Sequence, residues 1–251
     1  MTGDRELARA AVRAGAAAAL AVAGDALAVR RKSSPADLVS AADRASEDAI
    51  VAVLRDARPA DAITGEEGTR VDGGGRRWHV DGLDGTVNFL RAIPQWCVAV
   101  ALEEDGEPLA AAVLDPVREE LFCAARGVGA TGDGAPLRVR DGAPLAEAMV
   151  SSFLRADKLR GAPAMAAFGP LVAAPAGLRM GGAGSLELAW LAAGRIDGWA
   201  QPDVDPWDWL PGRLLVEEAG GRTAVVEGED LRWHVAAAPG TFAELRGLVG
   251  G

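Results

Sequence analysis

Between residues 95 and 125 three apolar runs follow one another with nothing but reverse-turn signals between them, and this pattern limits the fold more than any other feature of the chain. Residues 95–103, 108–114 and 119–125 are each of strand length, and Asp105-Gly106 and Asp115-Pro116 separate them. Connections this short cannot carry a crossover helix, so the three runs are expected to be neighbours in an antiparallel meander. Upstream, Trp78-His79-Val80 reads as a short buried strand that delivers Asp81 to its end, and residues 63–75 read as a loop. An Ala-rich pattern from Asp4 to about Arg31 predicts one long helix that stops at Lys32-Ser33-Ser34-Pro35, and a second helix follows from Asp43 to about Ala57. Beyond residue 140 helices (186–193 and 208–219, the latter stopped by Gly220-Gly221) alternate with short strands. The expectation is a mixed α+β or α/β chain of two lobes, 1–140 and 141–251, that share an interface.

Composition removes several classes of function. A hydrophobic fraction of 49% with 25% charged residues is ordinary globular usage. The net charge of -10, from 36 acidic against 26 basic residues, disfavours a nucleic-acid partner, which needs a broad positive surface. The longest uncharged stretch near the start, Ala14 to Gly24, falls well short of the roughly 20 apolar residues of a membrane span, so no membrane partner is expected. No basic leader precedes it, which favours a cytoplasmic location. Cys97 and Cys123 form no Cys-x-x-Cys pair and sit among apolar neighbours, as small buried hydrophobes do. Gly73-Gly74-Gly75 lacks the following Lys-Ser or Lys-Thr of a phosphate loop. With only His79 and His234, and no nucleophile elbow, a Ser-His-Asp arrangement has no support, and His79 is expected against the core beside Trp78.

The chemistry lies in Asp81-Gly82-Leu83-Asp84-Gly85-Thr86-Val87-Asn88-Phe89. Two carboxylates stand three residues apart around what reads as a tight turn. Like charges at ~4 Å repel by about 4 kcal/mol at an effective dielectric of 20, so a site that gathers several of them calls for a cation. Mg2+ suits best, being hard and commonly shared between carboxylates and phosphate oxygens. Gly85 and Thr86 then open a helix whose free N–H groups favour an anion. Taken alone, an Asp-Gly turn with a helix cap explains the segment equally well.

The segment does not stand alone. Asp37-Leu38-Val39-Ser40-Ala41-Ala42-Asp43 and Gly65-Glu66-Glu67-Gly68 precede it, and Pro206-Trp207-Asp208 follows far downstream. Together, across residues 32–221, these motifs resemble the inositol monophosphatase family, Mg2+-dependent and Li+-sensitive phosphomonoesterases. The resemblance implies a layered α-β-α-β-α sandwich and a homodimer. It also implies that Glu66, Asp81, Asp84 and Asp208, with the main-chain carbonyl of Leu83, bind metal. Asp43 and Thr86 then position and activate the attacking water with Glu66, Asp84 stands beside the leaving-group oxygen, and the amides of Gly85 and Thr86 cradle phosphate. Asp208, Gly184 and Gln201 fall at substrate contacts. The implied chemistry is metal-assisted hydrolysis with no covalent intermediate.

Three departures from the family pattern matter. Gly82 replaces the usual proline, which is expected to loosen the turn. Residues 67–78 form a shorter connection than the resembled enzymes carry. Gln201 stands seven residues before Asp208, where the inositol phosphatases have a glutamate; it keeps an acceptor, loses the charge and adds a donor. Gly184 fits either close approach to substrate or simple packing. The implied substrate is a small polyol or sugar monophosphate, inositol-1-phosphate foremost. Histidinol-phosphate phosphatase, fructose-1,6-bisphosphatase and 3'-phosphoadenosine 5'-phosphate phosphatase are alternatives on the same fold, and a non-catalytic binding protein is the alternative of another class.

Overall fold

A computed structural model describes residues 2–22, 30–31, 38–39, 41–154, 162–227 and 231–249. The first helix, α1 (Thr2–Val22), ends earlier than expected, because Arg30–Arg31 (β1) is extended and pairs with Leu38–Val39 (β2). The expected stop at residues 32–35 lies outside the described residues, as do Asp37 and Ser40. Helix α2 (Ala41–Ala57) starts two residues before Asp43, which places that acid in the first turn, where the helix dipole favours it.

The large sheet holds β3 (Ala62–Gly65), β4 (Arg70–Val71), β5 (Arg76–Asp84), β6 (Cys97–Glu104), β7 (Glu107–Asp115), β8 (Glu120–Ala125), β9 (Gly129–Gly132) and β10 (Ala135–Pro136). Its order is β10-β9-β8-β7-β6-β5-β3-β4, antiparallel throughout except for β3 beside β5. The meander of β6, β7 and β8 is as expected. Asp105 and Gly106 both take positive φ (53° and 82°), which suits a two-residue hairpin. Asp115 receives the amides of Val117 and Arg118 at 2.9 and 3.1 Å and so shapes the second reversal. The segment 63–75, expected as a loop, instead begins with strand β3 and carries the short β4 after its turn: Ile63 is fully buried and paired with Trp78 on one side and Val71 on the other, and so short a strand leaves little period to read.

The small sheet contains β11 (Met149–Ser151), β12 (Gly177–Arg179), β13 (Gly198–Pro202), β14 (Arg222–Glu227) and β15 (Arg232–Ala237), in the order β12-β11-β13-β15-β14. Helices α3 (Thr86–Leu90), α4 (Ala162–Ala173), α5 (Gly184–Ala192), α6 (Pro206–Glu218) and α7 (Pro239–Val249) complete the described elements.

Strand β6 shows how the layers assemble. Val98, Val100 and Leu102 face α1 and α2, whereas the smaller Cys97, Ala99 and Ala101 face α5 and α6. This alternation follows from the period of two along a strand. Trp199 and Ala236 of the small sheet close the same core around α5 and α6, and the opposite face of that sheet packs Val150, Trp233 and Val235 against Phe168 and Leu171 of α4 and Leu245 of α7. The result is a layered α-β-α-β-α sandwich. Among the described residues no helix is long and apolar enough to cross a membrane.

Candidate active site

Strand β5 runs on through the segment expected to be a tight turn, and its pairing with β6 shifts register between Asp81 and Asp84. The shift matters, because residues three apart on a regular strand face opposite sides. Here Asp81 and Asp84 face one side together, joined by Asp208 from the first turn of α6, with carboxylate oxygens of all three within 4.8 Å of one another. Oδ1 of Asp81 receives the Leu83 amide at 2.9 Å, which stabilises the irregular backbone. Gly82 also has a packing role. A Cβ there would lie 2.8 Å from the Asp43 carbonyl oxygen and 2.9 Å from the Glu47 nitrogen, so the missing side chain lets α2 close against β5.

Burial is the main cause that raises all three carboxyls. Asp81 lies well above the usual range through burial and then the charges of Glu66, Asp84 and Asp208. Asp208 is likewise raised, by burial and then by Asp84 and Glu66. Burial lifts Asp84 to about 6 despite the opposing Ser185 amide. Glu66 follows β3, and its amide donates to the Val80 carbonyl at 3.1 Å, which sets this acid beside the cluster. Oδ2 of Asp81 is buried without a hydrogen-bond partner among the described residues. Oxygen donors only, mutual repulsion and an orphaned buried acceptor are together what a hard divalent cation fits.

Beside the cluster, the Thr86 hydroxyl donates to Oδ1 of Asp43 at 2.9 Å, with the Leu83 carbonyl at 3.3 Å. Gly85 before it is left-handed (φ 96°), and α3 is only five residues long. The structure therefore brings Asp43, Thr86, Leu83, Asp81, Asp84 and Asp208 into one place, with Glu66 bearing on two of the acids.

A cleft of about 210 Å3 opens over Asp84 and Asp208 and is lined by Gly184, Gln201, Asp203 and Asp205 among others. A Cβ on Gly184 would meet the Trp199 ring at 3.5 Å and Gln201 Oε1 at 3.6 Å, ordinary contacts, so internal packing does not demand a glycine here. Oε1 of Gln201 is buried without a partner among the described residues. Opposite it in the sheet, His234 stands against the Trp209 ring (5.1 Å), and burial lowers its pKa to about 4. His79 is buried, with Nε2 2.6 Å from Glu103. Cys97 and Cys123 are both unpaired and buried, in different cores. Cys97 reaches Asp84 Oδ2 at 3.7 Å.

Four supporting residues have no role assigned from the motifs. Glu47 accepts the amides of Glu67 and Thr69 at 2.8 and 3.1 Å. Asn88 donates to the carbonyls of Gln95 and Gly181, each at 2.7 Å. Glu187, raised to about 7 by burial, accepts from the Ser151 hydroxyl (2.7 Å) and the Gly181 amide (2.8 Å). Ser185 donates its amide to Asp84 at 2.7 Å and its hydroxyl to the Asp208 carbonyl at 3.2 Å. Two of them leave a signal in the sequence: Asn88 lies within the Asp81–Phe89 motif, and Glu47 stands one helical turn after Asp43.

The five-layer sandwich thus sets a carboxylate cluster at the end of β5, an inner strand of the large sheet, beside a cleft that Gln201 of the small sheet also lines. The family profile described as the Inositol monophosphatase family matches residues 4–250, and the chain belongs to that family. It is 43% identical over 194 residues to a protein of Pseudomonas aeruginosa named Nus factor SuhB, covering 74% of this chain and 71% of that one. It is 41% identical over 197 residues to a Rhizobium meliloti protein named inositol-1-monophosphatase, covering 77% and 74%. Among solved structures, the extragenic suppressor protein suhB of Bartonella henselae superposes with a TM-score of 0.90 at 31% identity, covering 97% of each chain.

Proposed function

We propose that this protein is a Mg2+-dependent phosphomonoesterase acting on a small polyol or sugar phosphate, with inositol-1-phosphate the leading substrate. The observation that carries the reading is the convergence of Asp81, Asp84 and Asp208 beneath a cleft walled by Gly184 and Gln201. Glu66, Asp81, Asp84, Asp208 and the Leu83 carbonyl are the residues that would hold metal. Bound there, Mg2+ supplies positive charge against phosphate oxygens and makes water more acidic.

The chain's own residues do the rest. Asp43 takes the Thr86 hydroxyl proton into a hydrogen bond, so the Thr86 oxygen is left free to accept from the attacking water. Glu66 is the second acceptor for that water and draws its proton. The amides of Gly85 and Thr86 receive phosphate oxygens, and Asp84 lies on the leaving-group side. Gln201 Oε1, lacking a donor among the described residues, accepts from a substrate hydroxyl. Retention of all four acids supports catalysis over a silent binding role, and the relatives' names include inositol-1-monophosphatase as well as Nus factor SuhB. Lithium sensitivity, a homodimer and a cytoplasmic location complete the reading, the last supported by two unpaired buried cysteines.

The test is a panel of phosphomonoesters assayed with Mg2+ and in EDTA. Turnover of polyol phosphates that vanishes in EDTA is expected. Metal-independent turnover, or none on any phosphomonoester, overturns the reading.

A further inference from the structure

Helix α2 presents two buried acids one turn apart, Asp43 and Glu47, to opposite parts of the site. Asp43 holds the Thr86 hydroxyl. Glu47, 2% exposed, spans the turn after β3 with both oxygens: Oε2 accepts the Glu67 amide at 2.8 Å and Oε1 the Thr69 amide at 3.1 Å. The rest of that turn is also tied down, by Gly65 N–H to the Thr69 carbonyl at 2.9 Å and by Arg70 Nη1 to the Gly65 carbonyl at 2.7 Å. Glu66 is the residue this turn carries. A Cβ at Gly65 would collide with the Glu47 carboxylate, so that glycine is what admits the acid beneath the turn. At Gly82 the same absence of a side chain lets the Glu47 backbone reach β5 next to Asp81.

We infer that Glu47 is a positioning residue: α2 is a template that fixes Glu66 relative to both the Asp43–Thr86 pair and Asp81, by anchoring the turn that carries Glu66 with two charge-assisted hydrogen bonds. Buried and spent on amides, Glu47 does not reach the reacting atoms itself. The inference rests on the metal-dependent reading above. An outer acid that orients a ligand commonly governs metal affinity by about ten- to a hundredfold, and here the effect passes through Glu66.

The experiment uses Glu47→Gln, which keeps the shape but turns an N–H2 toward one amide, with Glu47→Asp as a second variant that keeps the charge and loses the span. Mg2+ binding is measured calorimetrically without substrate, alongside kinetics on a polyol phosphate. Mg2+ affinity is expected to fall about tenfold in Glu47→Gln, with KM for the phosphate ester unchanged and kcat recovered to within about threefold at saturating Mg2+. Glu66→Gln combined with Glu47→Gln is expected to bind Mg2+ no more weakly than Glu66→Gln alone, because the first residue acts through the second. Unchanged Mg2+ affinity in both Glu47 variants, full additivity in the double variant, or failure of both variants to fold overturns the inference. A parent chain that binds Mg2+ but turns over no ester defeats only the proposed reaction, since calorimetry still decides the role of Glu47; a parent that binds no divalent ion defeats both.

Discussion

Ser185 donates its backbone N–H to Oδ2 of Asp84 at 2.7 Å, which ties the first turn of α5 to an acid carried by the large sheet. The bond survives replacement of Asp84 by asparagine, whose carbonyl can still accept it. Asp84→Asn is therefore expected to fold normally while kcat/KM falls about a thousandfold or more, the loss of a group acting on both metal and leaving oxygen. In EDTA the variant is expected to melt no lower than the parent, because one repelling charge has left the cluster. Full activity in Asp84→Asn would contradict the mechanism.

The same cluster predicts how stability depends on pH. Asp84 rises from 3.8 to about 6 on folding, through burial, and Asp81 and Asp208 shift in the same direction. Between these values the folded cluster binds more protons than the unfolded chain, so its contribution to stability falls as pH rises through the window, and the buried, lowered His79 and His234 oppose it only in part. Metal-free protein is expected to melt higher at pH 5 than at pH 7.5, and saturating Mg2+ is expected to remove the difference by stabilising the ionised cluster. A melting temperature in EDTA that rises from pH 5 to 7.5 would show that the carboxylates are not held as the structure holds them.

Much of this site was legible because its acids lie in short motifs, and what was missed has a physical reason. The pairing of Asp81 with Asp84 on one face depends on a register shift that no side-chain pattern announces. Strand β3 was read as loop because four residues show too little alternation, and its burial comes from contact with Trp78 of β5. The meander is readable because Asp105-Gly106 is a turn in its own right and the apolar runs beside it are of strand length. Trp96, Val98 and Val100 are core, as their apolar setting suggests. The packing role of Gly82 is set by a helix distant in sequence and has no local signal.

Lithium is expected to inhibit at concentrations on the order of 10 mM at fixed Mg2+, competing at a weakly held cation position. The readout is initial rate against Li+ at several Mg2+ concentrations. Indifference to Li+ across that range would separate this chain from its family in metal affinity, with the short connection between Glu67 and Trp78 as the place to look.

A homodimer is expected through an apolar patch near the strand-rich middle of the chain. Ile93, Val117 and Met180 are each close to half exposed (46%, 45% and 48%). Hydrogen bonds connect the segments that carry them: the Asn88 carbonyl accepts the Ile93 amide, the Asn88 side chain donates to the Gly181 carbonyl, and Arg118 reaches the Pro94 carbonyl at 3.0 Å. Exposed apolar side chains on linked segments are candidates for burial in an interface. Light scattering should give twice the chain mass at micromolar concentration, and Met180→Glu should shift it toward monomer. A monomer for the parent rejects the expectation.

Selectivity turns on Gln201. Its Oε1 lies buried over the cleft without a partner among the described residues, and His234 across the sheet has a pKa of about 4, so it is neutral at pH 7. Gln201 and His234 thus offer a hydroxyl group an acceptor and, by themselves, offer an ammonium group no counter-charge. Asp203 and Asp205 line the same cleft, but Asp203 Oδ1 already accepts the Arg232 amide at 3.2 Å, and Asp205 precedes α6. The parent is expected to favour inositol-1-phosphate over histidinol phosphate. A charge-assisted hydrogen bond is worth about 1.5 to 3 kcal/mol, so Gln201→Glu is expected to raise kcat/KM for histidinol phosphate by roughly ten- to a hundredfold. The neutral esters, inositol-1-phosphate and glycerol-2-phosphate, should change much less, because glutamate keeps the acceptor they use. A parent that prefers histidinol phosphate by tenfold would mean that Asp203 or Asp205 supplies the charge, and Asp203→Asn and Asp205→Asn, assayed on the same three esters, would then identify which.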